Sequence, residues 1–190
     1  MSRMHIIGLT GLQGAGKDTV ADLLVTHAGF MKFAFADALR GEAADGFSVD
    51  IAAFTDRATK EQPQERFALE RCNNNNFVGA ILTHQARTHG KGLDVAALME
   101  QPRSPREILR WWGTEFRRHQ ADNYWLGSLI GRINHANRAL GIARFVVTDV
   151  RFENEAALVR SFGGCIWQVK RPSLQASGDW GAKRSSAGGR

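Results

Sequence analysis

Between residues 4 and 28 the chain passes from a short apolar run through a glycine-rich turn into an apolar pattern of helical period. That switch restricts what it can become. Residues 4 to 10 (Met-His-Ile-Ile-Gly-Leu-Thr) read as a strand, and Val20, Leu23, Leu24 and His27 recur at helical spacing over 16–28. The turn between them runs Gly11-Leu12-Gln13-Gly14-Ala15-Gly16-Lys17-Asp18-Thr19. It follows the pattern G-x-x-x-x-G-K-[ST] at every position but the last, and its strand–turn–helix setting is the one that motif requires. Glycines let backbone N–H groups converge on an anion while the positive end of the helix faces the same point. Lys17 would add a mobile ammonium, so Gly11, Gly14, Ala15, Gly16, Lys17, Asp18 and Thr19 are the expected triphosphate-binding residues.

Asp18 stands where a Ser or Thr usually offers a hydroxyl to Mg²⁺. A carboxylate beside a triphosphate is repulsive unless a cation lies between them. Asp18 is therefore the expected metal-side residue, directly or through a water. Thr19, about 100° further round the helix, is better placed to touch an inner phosphate.

A chain of 190 residues suits one domain, or one core with an inserted subdomain. Hydrophobic content of 43% and charged content of 23% are those of a soluble globular protein. No apolar run reaches membrane length, and no signal-peptide pattern opens the chain. Cys72 and Cys165 are far apart, so no disulfide framework is expected and a cytoplasmic setting fits. The six histidines show no metal-ligand spacing with them. The formal charge of +6 calls for anionic partners without choosing between nucleotide and polymer. Five arginines (Arg103, Arg106, Arg110, Arg117, Arg118) fall within 103–118, which reads as a phosphate site on a helix.

Further along, 31–35 reads as a second strand and Asp37–Ala44 as a helix. Residues 77–99 read as two helical pieces separated at 89–92, and 71–102 as a helical insert on one edge of the core. Ser104, Pro105 and Glu107 mark a helix start with a capping box. On a regular wheel Ile108, Leu109, Trp112 and Phe116 cover one face of that helix, while Arg110, Thr114, Arg117 and Arg118 gather on the other. Residues 144–149 read as a buried strand ending at Asp149, followed by Arg151, a helix over 153–162 and a last strand at 165–170. Alternating strands and helices predict an α/β fold: a parallel sheet sandwiched by helices, spanning 1–172. Ligands of such sheets bind at the carboxyl ends of the strands, where Asp37, Asp149, Arg151 and the glycine loop all fall. Residues 173–190, basic and rich in Gly and Ser, read as a disordered tail.

With these residues assembled, the chain resembles the deoxynucleoside monophosphate kinases of tailed bacteriophages and prophages, within the P-loop nucleoside-monophosphate-kinase group. The resemblance lies in Gly-Ala-Gly-Lys-Asp-Thr (14–19), Phe-Ala-Asp-Ala-Leu-Arg (35–40), Ser-Pro-Arg-Glu-Ile-Leu-Arg (104–110), Gly-Thr-Glu-Phe-Arg (113–117), Tyr-Trp (124–125) and Thr-Asp-Val-Arg-Phe-Glu-Asn-Glu (148–155). It implies transfer of the ATP γ-phosphoryl group to a deoxynucleoside 5′-monophosphate, with Mg²⁺ as cofactor. It also implies that Lys17 stabilises the migrating group, Asp18 serves Mg²⁺ and Asp149 orients the metal's waters, while Arg40 and Arg151 grip phosphates. Asp37, Thr114, Glu115, Arg118 and Trp125 would surround the acceptor, with Trp125 as a stacking surface. Trp111, Trp112 and Trp167 are expected in the core. Small nucleotides, no stable nucleic-acid complex, no membrane, and a homodimer complete the expectation. A His-x-Ser-Glu block usual after the Arg-Pro of such kinases is absent; the nearest equivalent is Arg184-Ser185-Ser186-Ala187. The competing readings are a P-loop kinase of another small phosphorylated acceptor, a nucleotide-binding regulator without turnover, and a nucleic-acid-associated ATPase. The last is disfavoured by the lack of any aromatic-interleaved basic strip.

Overall fold

In the computed structural model, which describes residues 4–56 and 58–172, four short strands build one all-parallel sheet. They are β1 (His5–Thr10), β2 (Met31–Phe33), β3 (Arg144–Val147) and β4 (Cys165–Gln168), in the order β2-β3-β1-β4. Ile7 faces Val146 on one side and Cys165 on the other. The ladder runs past the strand ends, because Thr148 N–H reaches the Phe33 carbonyl and Val150 N–H reaches that of Leu9. The chain leaves β1 for one face of the sheet and β3 for the other, which opens a crevice between their carboxyl ends.

Helix α1 (Lys17–Ala28) covers one face, setting Ala21 against Ile7, Leu9 and Val146. The other face carries a thicker layer: α2 (Phe35–Phe47), α3 (Asn75–His89), α4 (Val95–Glu100), α5 (Pro105–Arg110), a π-helical segment (Trp111–Arg118), α6 (Tyr124–Leu140) and α7 (Glu153–Ser161). Helices α3 and α4 send Phe77, Ile81 and Leu98 into this same core. Trp112 stacks on Phe77 with ring centroids 4.3 Å apart, and Phe47 meets both. Gly46 permits this: a Cβ there would lie 2.3 Å from Trp112 Cη2. Each such aromatic burial contributes about 2–3 kcal/mol, against the entropy of ordering the layer.

Local signals set most boundaries. Asn74, Asp94 and Ser104 accept N–H groups at the starts of α3, α4 and α5, and left-handed Gly29 and Gly141 end α1 and α6. Three expectations need correction. Ser104 accepts the Glu107 N–H, but the Glu107 carboxylate turns to Arg103 at 3.1 Å instead of closing a capping box. The second strand stops at Phe33, because the Asp149 carboxylate accepts the N–H groups of Phe35 and Ala36 and so starts a helix there. Trp167 lies on edge strand β4 and is 45% exposed, outside the core. Among the described residues no helix is long and apolar enough to cross a membrane. The expected tail at 173–190 lies outside the described residues.

Candidate active site

The glycine loop caps the carboxyl end of β1. Gly11, Gly14 and Gly16 all adopt positive φ (142°, 80° and 98°), a sequence of turns that L side chains rarely follow. At Gly11 a Cβ would also meet the Val169 carbonyl at 2.3 Å. Gly16 caps α1 and no side chain accepts its first N–H groups, so this helix start keeps its donors for another acceptor. Lys17 folds its ammonium back over the loop, donating to the carbonyls of Gly11 and Leu12 at 2.8 Å each. One donor remains.

Arg151 and Asp149 stand beside it, at the end of β3. Burial holds the Lys17 ammonium below the usual lysine range, and the Arg151 guanidinium pushes it the same way, while Asp18 and Asp149 push back. Arg151 is exposed and has no ion-pair partner among the described residues. Two cations within electrostatic reach of each other, one of them at an uncapped helix start, could together hold an anion.

Asp149 is committed differently. Its oxygens accept Phe35 N–H at 2.8 Å and Ala36 N–H at 2.9 Å. Burial raises its pKa even against those two bonds and Arg151. Asp37 closes the same turn: its Oδ2 accepts from Ala34 N–H (2.9 Å) and Arg132 Nη2 (3.0 Å), its Oδ1 from Arg40 Nη1 (3.3 Å). Arg132, absent from the sequence expectations, also donates to the Ala34 carbonyl and lies 4.6 Å over the Phe33 ring. It sits on α6, a helix the sequence reading passed over. The apolar spacing Trp125, Leu129, Ile133, Ala136 was the available signal.

Four arginines of the cluster are paired with glutamates. Arg103 is buried, paired with Glu107 and stacked on Trp111; Arg106 binds Glu61. Arg117 donates to Glu42 at 2.7 Å, and Arg118 to Glu155 at 2.7 Å. The π-helical winding from Trp111 to Arg118 moves these side chains off the single face drawn on a regular wheel. Glu42 also accepts from Trp112 Nε1 and from the Tyr124 hydroxyl, whose pKa is raised by burial first and then by this carboxylate. Glu42 and Glu155 were missed because their partners are distant in sequence. Trp125 is likewise corrected as a stacking surface: it is 4% exposed, and its indole N–H points at the Gly113 carbonyl. Trp111 and Trp112 are buried as expected. Thr114 is exposed, and Glu115 lies 3.5 Å from His84. Among the described residues no hydrogen bond or ion pair links either to Lys17 or Arg151.

Asp18 is exposed on α1 and meets Lys32 Nζ at 3.2 Å, which Asp22 also meets at 2.9 Å. Burial pulls the Lys32 pKa down, but the hydrogen bonds to Asp22 and Asp18 outweigh it and raise it. No group of three or more His, Cys, Asp or Glu among the described residues could cage a metal. The exposed Asp18 carboxylate could receive a water of Mg²⁺, an ion that usually keeps several of its waters. Two concavities, of about 380 and 440 Å³, lie elsewhere, at the amino ends of β1 and β4 and between α3, α4 and α5.

No protein-family model matches the sequence. A protein of Acanthamoeba polyphaga mimivirus named "Putative deoxynucleotide monophosphate kinase" is 28% identical over 180 residues, spanning 90% of this chain and 76% of that protein.

Proposed function

We propose that this chain transfers the γ-phosphoryl group of ATP to a deoxynucleoside 5′-monophosphate, giving ADP and the diphosphate. The observation that carries the proposal is the uncapped, glycine-built start of α1 with Lys17 folded over it and Arg151, without an ion-pair partner among the described residues, beside it. The name of the mimivirus relative, similar over most of both chains, supports the acceptor class.

The chemistry asks for positioning more than covalent work. A monophosphate oxygen is already a nucleophile at neutral pH, so the task is to hold two anions in line and offset their repulsion. Loop N–H groups would take phosphate oxygens of ATP, and Lys17 would exchange its two carbonyl partners for the outer phosphates. Arg151 would meet the acceptor phosphate or the migrating group from the other side of the crevice. Bound Mg²⁺ would neutralise charge on the phosphates, with Asp18 receiving one of its waters. Asp149 and Asp37 hold the start of α2, and Asp37 also engages Arg132 and Arg40 along the opposite wall.

The test is a screen of the purified chain with ATP, Mg²⁺ and each deoxynucleoside monophosphate, reading ADP release and diphosphate formation together. Stoichiometric appearance of both products with at least one acceptor is expected. ADP release without any diphosphate would defeat the proposal.

A further inference from the structure

Glu155 is 2% exposed, yet its side chain is polar and each of its oxygens has a partner. As the third residue of α7 it accepts the Phe152 N–H at 3.2 Å, which an ordinary capping glutamate does at a solvent-exposed helix start. This one does more. Its Oε2 also accepts the Arg151 N–H at 2.8 Å, and its Oε1 takes Arg118 Nη2 at 2.7 Å from the π-helical segment. The Arg118 guanidinium in turn lies 4.0 Å over the Phe152 ring. Arg118, Glu155 and the backbone of residues 151 and 152 therefore form one closed bracket around the turn after β3. A buried ion pair of this kind adds little net stability, since apolar replacements of similar volume often do as well. What it does fix is geometry, and the residue whose backbone it holds is the unpaired Arg151.

The geometry points to Glu155 as a positioning residue, with Arg118 as its partner. It acts through Arg151, aiming that guanidinium at the phosphate of the acceptor. This inference rests on the kinase reading above and deepens it. Arg118 then serves the acceptor indirectly, through Glu155, instead of by touching it. Glu155→Gln isolates the effect, because the amide oxygen can still accept the two backbone N–H groups while its NH₂ turns donors toward Arg118.

The experiment is a double-mutant cycle of Glu155→Gln with Arg151→Ala, measuring kcat and KM for both substrates with the acceptor the unmodified chain uses best. Glu155→Gln should lower kcat/KM for the acceptor roughly ten- to a hundredfold, the usual consequence of about 1 Å of misplacement, and leave KM for ATP unchanged. In the Arg151→Ala background it should cost nothing further, whereas a merely structural glutamate would give additive losses. Additive losses, or an unaffected Glu155→Gln, would overturn the inference. Should that variant fail to show a native circular dichroism spectrum, Arg118→Lys replaces it in the same cycle with the same two outcomes. Absence of transfer by the unmodified chain sinks the kinase reading itself, so the two failures are distinguishable.

Discussion

Helices α1 and α2 both begin at the carboxyl edge of the sheet, and they meet that edge in opposite ways. The start of α2 is filled by its own protein: Asp149 takes the N–H groups of Phe35 and Ala36, and Asp37 takes that of Ala34. The start of α1 has no side-chain cap and carries Lys17. A helix terminus already met by carboxylates has its donors taken, whereas one without a side-chain cap keeps donors that an anion could use. The same lesson applies to charge. The arginine-rich stretch 103–118 also reads as a phosphate site in the sequence, yet four of its five arginines are held by glutamates.

The sharpest way to break the contrast is Lys17→Met, which should lower turnover by roughly two to three orders of magnitude with an unchanged circular dichroism spectrum. Turnover equal to the parent would remove α1 from the chemistry. Next is Gly11→Ala, whose methyl would meet the Val169 carbonyl at a positive φ. Titration calorimetry with ATP and Mg²⁺ should show weakened binding, and the melt a loss of about 1–3 kcal/mol. If binding survives intact, the open helix start is not where the triphosphate sits.

Asp149 gives a test of α2 by pH. Its folded-state pKa lies above the ordinary 3.8, so the folded chain holds that proton longer than the unfolded chain does. Its contribution to stability therefore falls as pH rises from 3.8 through the folded value, and is level beyond it. Melting curves of Asp149→Asn should lack that fall, so the difference between variant and parent shifts across this window; parallel curves would contradict the assignment. The smallest effect is expected at Arg106, whose pair with Glu61 is half-exposed. Arg106→Ala should change stability by less than about 1 kcal/mol and leave kcat and KM alone. A large rise in KM there would revive the arginine cluster as a phosphate site.

Much of the frame was legible because it is written locally. Residues 4–28 hold strand, turn and helix signals in consecutive positions, and Ser104-Pro105 announces α5. Helix α6 was passed over because Gly127 and Gly131 dilute a pattern that its apolar residues otherwise state clearly. With it went Arg132, the bracket on Asp37. The roles of Glu42 and Glu155 depend on arginines 75 and 37 residues away, and no spacing rule reaches that far. Trp125 was misjudged for a related reason, since only the packed layer shows that Gly113 takes its indole N–H.

By itself the amino-acid order determined the glycine turn, its lysine and the alternation that makes a parallel sheet, because each is a property of neighbouring residues and their backbone preferences. Tertiary structure decided which charges are spent inside the protein and which are left over. That outcome depends on pairing across the fold, where a carboxylate brought within hydrogen-bond reach of a guanidinium or a helix start cancels it, and one that stays away leaves it for a ligand.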